Sequence, residues 1–588
     1  MKSSYRLADQ TTLKLRRRVW SGWEVMAWTG VAALALFALG IGNHSLWGYH
    51  EPYVGGIIRE MVSSGDFVVP TLNGHPYLEK PPLYYALGAL VCRAFGTFQP
   101  WALRLPSALL AMATCVWMSF LAWRIRSTRA AYWAGCTLAT SYLFYEVGQT
   151  AVVDMALTAT VSFALGLAFL AILEPPYRRR WMPWFWLALG ATFLAKGVVG
   201  PVMVLLPLAA TLLLQQDRAL VRAFLGWNWG LAVALLAVAG WVVLLGRRGG
   251  TDFLGEVFLR NTLGRFTQDP ALVPMTGRLG EHVEGWSFYP LRLPMNVMPW
   301  FALWAAALAA ALPGRGRPRS PRDTFLPLAF ALNLLLCSVS QAKREVYLLP
   351  VLPLTFLHMA LWLDSRLPKA RQRLDRPMGW TLGCTLGLTT LLAAAFPWVL
   401  VREAGLSRLL AAGMGLLALG LAARAANQLR WRHYPGAFRS AMLQWSLFLI
   451  FVQGFGVPAM DRRDWQPLQA PYRQALALHR AGAAIACAGL SETQTGFASL
   501  TFQQRLPTLP DPARLQAALD QPGPVAVLVE RGFWARAQAQ GVRGRVVPTE
   551  ADSMPARRQI KAPTLVINRF LPHPAPQPAS RFLISSSE

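Results

Sequence analysis

Residues 83–126 read LYYALGALVCRAFGTFQPWALRLPSALLAMATCVWMSFLAWRIR, and the threading of this stretch decides the fold. The run 101–123 is long enough for a helix to cross a hydrocarbon core, which takes roughly 20 residues. It ends on Arg124-Ile125-Arg126. Basic clusters collect on the cytoplasmic side of membrane proteins, so this trio marks the inside. The preceding Leu83–Phe98 is apolar enough to suggest another crossing, but counting it reverses the side of every later basic cluster. It reads instead as a re-entrant or interfacial helix, and everything from Asn43 to Pro100 lies outside.

The same compass orders the rest of the chain. Lys14 to Arg18 starts inside, and the apolar run 25–42 behind it reads as a retained first helix and not as a cleaved signal. Spans near 130–147, 155–173, 182–195, 198–214, 226–246, 292–312, 324–340, 346–363, 378–400, 407–424 and 440–458 keep Arg178-Arg179-Arg180, the arginines from Arg315 to Arg322 and the segment Lys369 to Arg376 inside. The expected architecture is an all-α polytopic bundle of about thirteen transmembrane helices. Residues 1–458 form this bundle, with a first periplasmic loop at 43–100 and a second at 247–290. An odd count puts 459–588 on the side opposite the cytoplasmic N-terminus. There the pattern changes: Ala483–Leu490, Val525–Glu530 and Thr564–Phe570 read as short buried strands, and Asp511-Pro512 opens a helix. A small α/β periplasmic domain is the simplest account.

Composition agrees. With 588 residues, 54% apolar and 24 Trp, the chain has more hydrophobic surface than soluble cores of this size bury. Its apolar runs, roughly 15 to 23 residues each, match a bilayer. The formal charge of +28 lies in short clusters between these runs. A nucleic-acid binder would present it along one face, so that class is set aside. Six cysteines without CxxC spacing indicate neither a disulfide framework nor a zinc site.

The ionisable residues outside the arginine-rich loops collect on the outer side: His50, Glu51, Arg59, Glu60, Glu79, Lys80, Glu146, Asp154, Lys196, Arg265, His282 and Lys343. Charges at the edge of apolar runs are costly and mark function. The first loop carries Gly65-Asp66 and Asn73-Gly74 turns and a stiff Pro81-Pro82, so it can hold a carboxylate and a lysine over the membrane surface. Bland readings stand beside these. Glu51 and Asp154 can pair with Arg59 or Lys196 to close the loop, and Lys80, Lys196 and Lys343 can snorkel as anchors. Arg265 is either a phosphate ligand or a headgroup anchor. Glu79 and His282 are two scattered ligands for a divalent metal, a weak case; no cofactor is required by the sequence.

From Trp47 to Pro353 the chain resembles the bacterial C-type glycosyltransferases that include the lipid A aminoarabinose transferases and are related to protein O-mannosyltransferases. The resemblance rests on an ordered set of phrases: Arg59-Glu60-Met61, Gly65-Asp66-Phe67-Val68-Val69-Pro70, Tyr77-Leu78-Glu79-Lys80-Pro81-Pro82, Asp154-Met155, Ala195-Lys196-Gly197, Ser340-Gln341-Ala342-Lys343 and Tyr347-Leu348-Leu349-Pro350. It implies a bacterial inner-membrane enzyme that takes a sugar from a polyprenyl-phosphate donor to a lipid or glycan acceptor on the periplasmic face. Lys80, Arg265 and Lys343 would then hold the donor phosphate. Asp154 would orient the acceptor or a neighbouring cation, and Arg59, Glu79, Tyr84, Lys196, His282 and Tyr347 would face substrate. One departure stands out. The family carries Asp-Glu in the first loop, whereas this chain reads His50-Glu51, so either Glu51 or His50 takes the acid's place. Tyr53 and Gly56 also stand where an arginine and a glutamate are common.

The competing class is a transporter or flippase of a polyprenyl-linked lipid. Its signatures are inverted repeats and charges near the midplane. Here no repeat is visible and the charges sit at the outer surface. A non-catalytic member of the family is the third reading, which turnover with any polyprenyl-phosphate sugar excludes.

Overall fold

Apolar helices dominate the computed structural model, which describes residues 21–48, 50–267, 269–272, 283–312, 321–367, 376–555, 561–568 and 571. Among them seven are long and apolar enough to cross a membrane: Pro100–Ile125, Val153–Leu173, Trp229–Gly264, Glu345–Arg366, Met378–Glu403, Arg408–Arg430 and Tyr434–Asp464. Shorter apolar helices stand beside them, including α1 (Gly22–Ala38), Val199–Gln215 and Phe301–Ala311.

Two runs expected to be continuous are broken, and the breaks answer one another. The run at 130–147 divides into Thr128–Ala139 and Tyr142–Gly148, and the run at 292–312 into Phe288–Asn296 and Phe301–Ala311. The amide of Tyr142 leaves its own helix ladder and donates to the Met298 carbonyl at 2.9 Å, ahead of Pro299, which has no amide to donate. Trp300 and Trp445 donate their indole N–H groups to the Thr140 hydroxyl and carbonyl at 3.1 and 2.8 Å. Backbone groups buried away from water must be paired, and here each break supplies what the other lacks.

The first long loop is built of α2 (Glu51–Ser64), a hairpin of β1 (Thr71–Leu72) and β2 (His75–Pro76), and α3 (Leu83–Phe95). Pro52 sits in the first turn of α2, and Gly65 closes it in the left-handed conformation at φ 69°, as its position after the last turn requires. At 13 residues α3 is about 20 Å long, short of the ~30 Å hydrocarbon core. Next comes α4 (Pro100–Ile125).

Beyond residue 480 the chain folds a five-stranded mixed sheet, in the order β4 (Thr508–Leu509), β3 (Ala484–Ala488), β5 (Val525–Val529), β7 (Thr564–Ile567), β6 (Arg545–Val547). The three strands expected from sequence are β3, β5 and β7; two short edge strands, β4 and β6, carry too few residues to show a period. Strand β5 lies fully buried because Val525, Val527 and Val529 pack on Leu515, Leu519 and Trp534, while Ala526 and Leu528 pack on Leu478 and Phe502 of the opposite layer. The helix that Asp511-Pro512 announces spans Pro512–Leu519, with the Asp511 carboxylate accepting from the Arg514 amide.

This unit is fastened to the first loop. Asn73 in the hairpin donates to the Leu506 carbonyl at 2.9 Å and accepts from the Leu506 amide at 2.8 Å. Asp461 closes the other side, accepting from the Ser45 amide at 3.1 Å, the Trp47 indole at 2.6 Å and Gln466 at 3.0 Å.

Candidate active site

The helices Val153–Leu173 and Arg178–Lys196 are joined by a short turn and run antiparallel, so the start of one meets the end of the other. Asp154, second residue of the first, therefore faces Lys196, last residue of the second, and the two form a partly buried ion pair. Gly197, at φ 65°, ends the helix directly behind Lys196. The Lys196 ammonium also lies 4.7 Å from the centre of the Tyr347 ring, a cation–π contact. Arg344, three residues before Tyr347, reaches across to His50 at the start of α2. Four distant stretches of sequence thus converge on one cluster at the mouth of the helices: His50, Asp154, Lys196 and the pair Arg344 and Tyr347.

The hydrogen bonds fix the state of His50. A guanidinium only donates, so Nε2 of His50, facing Arg344, is an acceptor. Nδ1 then carries the proton and donates to the Tyr53 hydroxyl at 2.9 Å. Burial, and next the Arg344 charge, lower the His50 pKa to about 4, so the imidazole is neutral near pH 7.

Glu51, one residue on, is differently placed, and of its two expected roles, acid or structural pair, the hydrogen bonds around it display the pairing. It is buried and points toward α4, where Arg104 grips it with Nε on Oε1 and Nη2 on Oε2, both at 2.7 Å. The Ala151 amide adds a third donor to Oε1 at 2.9 Å and the Trp47 amide a fourth to Oε2 at 2.7 Å. Arg104 spends its remaining hydrogens on the carbonyls of Ile41, His44 and Ser45. The pair is a clasp that folds the loop onto the bundle. Arg59 is likewise turned away from the cluster, donating to Ser499 at 2.9 Å and Glu60 at 3.1 Å. Tyr84 is buried with its hydroxyl on Ser107 at 2.7 Å.

Among the expected phosphate ligands, Lys80 lies half-buried beside Glu79, its ammonium 3.1 Å from the Glu79 carbonyl and 3.9 Å from the carboxylate. Lys343 is drawn instead into backbone, donating to the carbonyls of Glu284 at 2.7 Å and Ser340 at 2.6 Å; it ties the second loop to the segment before Arg344. Arg265 begins the turn Arg265–Thr267, and its side chain lies outside what is described, as does His282 altogether. No group of three or more metal-binding side chains gathers among the described residues.

Sequence reasoning missed Arg344 and Arg104. The first follows Lys343 directly, and adjacent basic residues cannot be told apart without the turn that aims them. The second is a lone arginine within an apolar run, a signal that intramembrane charge rules make available.

A multi-helix membrane body, a helical first loop and a cluster of opposed charges at its mouth are the architecture expected of a C-type glycosyltransferase, and the fold agrees. The solved structure of ArnT from Cupriavidus metallidurans bound to undecaprenyl phosphate superposes with a TM-score of 0.71 over 93% of this chain and 98% of that one, at 20% identity. A family profile described as dolichyl-phosphate-mannose-protein mannosyltransferase matches residues 79–243. Undecaprenyl phosphate-alpha-4-amino-4-deoxy-L-arabinose arabinosyl transferases are similar in sequence: that of Pectobacterium carotovorum is 30% identical over 61% of this chain, and that of Pseudomonas paraeruginosa 30% identical over 66% of this chain and 67% of its own length. The chain spans 62% of the length of the Pectobacterium relative it matches. It belongs to the glycosyltransferase superfamily that holds these aminoarabinose transferases and the protein mannosyltransferases, and is a multi-pass inner-membrane protein.

Proposed function

We propose that this protein is an inverting glycosyltransferase that moves a sugar from a polyprenyl-phosphate donor to a lipid A-like or other envelope glycan acceptor at the periplasmic face. The observation that carries the reading is the cluster of His50, Asp154, Lys196 and Arg344. Displacement at an anomeric carbon needs a stabilised phosphate leaving group and an activated acceptor oxygen. Arg344 and Lys80 supply mobile positive charge for the phosphate, and the Asp154–Lys196 pair holds the mouth of the helices in place. His50 stands where the family has an acid. When the donor phosphate draws Arg344 to itself, the Nε2 lone pair of His50 is released and accepts the acceptor's proton, while Tyr53 keeps Nδ1 oriented. Three basic ligands expected on the donor thus reduce to Lys80, with Arg344 added and the side chain of Arg265 outside what is described.

The same reading sets about thirteen crossings, with the N-terminus cytoplasmic, the outer loops at 43–100 and 247–290, and residues 459–588 periplasmic. The seven long apolar helices and the shorter ones beside them support it. The test is transfer by the purified protein in lipid, using labelled polyprenyl-phosphate sugars and a crude envelope acceptor. Label should pass to the acceptor with wild type and fall with Asp154→Asn. If no donor in a broad panel is consumed, the transferase reading fails and transport of a lipid-linked substrate is tested instead.

A further inference from the structure

Three of the long apolar helices, Met378–Glu403, Arg408–Arg430 and Tyr434–Asp464, bring one end each to a common corner. The first two are joined there by a short turn, in which the Leu406 amide donates to the Leu400 carbonyl at 3.1 Å. The third is tied to the first by Arg463, which donates to the Glu403 carbonyl and lies 3.5 Å from its carboxylate. A Cβ on Gly456 would lie 2.9 Å from the Leu400 side chain, so the two helices are level and in contact just below.

On each helix uncovered apolar side chains lead to an arginine. Leu391, Trp398 and Arg402 are exposed along one face of the first helix. Phe455 and Arg462, seven residues apart and so two turns along one face, are exposed on the third. On the second, Leu409 is 86% exposed directly beside the exposed Arg408. The four arginines of the corner meet two carboxylates. Glu403 is shared between Arg463 and Arg402, whose side chain is 88% exposed and 3.7 Å from it, and Asp464 holds Arg463 at 2.8 Å. Arg408 and Arg462 have neither an ion pair nor a hydrogen bond among the described residues. Arg408 also stands in the first turn of its helix, where the helix dipole disfavours a cation. In the threading proposed above this corner is periplasmic, so the bias of basic residues toward the cytoplasm gives no account of it.

We propose that Arg402, Arg408 and Arg462 form a docking surface for a net-anionic membrane phospholipid, with its phosphate on the guanidinium groups and its acyl chains along the apolar side chains below. Such a lipid matches the corner at both levels: it is anionic where the arginines stand and apolar where Leu391, Trp398, Leu409 and Phe455 face out. A guanidinium offers paired donors that fit phosphate oxygens. A zwitterionic lipid carries its own cation to the same place and gains less. The surface lies on helices that contribute nothing to the cluster of His50, Asp154, Lys196 and Arg344, and the proposal stands independently of the transferase reading.

The test places the full-length protein in phosphatidylcholine nanodiscs doped with a trace of photoactivatable phosphatidylglycerol or, as the neutral match, photoactivatable phosphatidylcholine, and maps crosslinks to residues 398–410 and 455–463. Wild type should take more phosphatidylglycerol than phosphatidylcholine there, and the preference should shrink as salt rises from about 0.05 to about 0.5 M. That salt response tests the surface without any variant. An arginine near an anionic headgroup is worth a factor of about five, so Arg408→Gln combined with Arg462→Gln should cut the preference about thirtyfold and leave the phosphatidylcholine yield unchanged. Arg408→Lys with Arg462→Lys should keep most of it. Equal yields of the two probes on wild type, or a preference that survives the glutamine pair, would overturn the proposal and leave the arginines as interfacial anchors. A preference abolished by inorganic phosphate would overturn it too, because the corner would then take a free anion and not a lipid.

Discussion

Replacing Glu51 with Gln separates a clasp from a catalyst. The carboxylate accepts four hydrogen bonds, two from Arg104 at 2.7 Å and one each from the amides of Ala151 and Trp47, and both charged partners are buried. Gln keeps the shape but removes the charge and turns one acceptor into a donor that faces N–H groups. Arg104 is then a buried cation without its anion, a change that costs about 3–5 kcal/mol. The loss falls on the seam between residues 41–51 and α4, because the other hydrogen bonds of Arg104 go to the carbonyls of Ile41, His44 and Ser45. At ~1.4 kcal/mol per decade, the opened form of this segment should rise in population about a thousandfold. Hydrogen exchange across residues 41–51 reads that population directly, and limited proteolysis offers a second view. Arg104→Gln should have an effect of the same order, and the double variant Glu51→Gln, Arg104→Met should recover much of the protection, since no unpaired charge remains. Unchanged exchange in Glu51→Gln together with abolished sugar transfer would refute the clasp and return Glu51 to the chemistry.

His50 should leave a mark on the pH dependence of stability. Its folded pKa, about 4, is below the unfolded value of about 6.5, so the unfolded state binds the extra proton between those values. The stability that neutral His50 contributes is complete above pH 6.5 and is lost as pH falls toward 4, whereas His50→Asn should flatten that limb in denaturation measured at stepped pH. Arg344→Ala should lower kcat by about 100-fold, as removal of one leaving-group donor does, with thermal stability nearly unchanged; equal kcat would remove it from the phosphate. Gly496→Leu should force the C-terminal unit off α2, and a tenfold or greater rise in proteolysis between residues 465 and 490 would register the loss; unchanged sensitivity would mean the close contact is dispensable. Asn73→Ala should destabilise by about 1–3 kcal/mol, because the Leu506 amide and carbonyl lose both partners at once, which unfolding of the C-terminal unit by denaturant would show.

The helical membrane body was legible because apolar runs of bilayer length and basic clusters are one-dimensional signals. Leu83–Phe98 was read as a re-entrant or interfacial helix because only that choice keeps the basic clusters on one side, and the 13-residue helix found there is short of a bilayer core. Asp154 and Lys196 could be nominated from sequence by the cost of charge at a span edge, and the antiparallel hairpin then brought them together. What the chain alone could not display was direction. His50 and Glu51 are neighbours, yet at the start of α2 they point to different places, one toward Arg344 and the other into the clasp with Arg104. The same holds for Lys343 and Arg344, where the lysine is absorbed by carbonyls and the arginine reaches the cluster. The helix breaks at Thr140-Ser141 and Met298-Pro299 were hidden because each is stable only where the other supplies its hydrogen bonds.

Sequence by itself determined that this chain must lie in a membrane and which superfamily its motifs resemble, because hydrophobic length and motif order are properties of the chain read along its length. Only the tertiary structure decided which of these charges meet, since that depends on the aim of side chains from helices far apart in sequence and on the docking of the helix Glu492–Phe502 against α2.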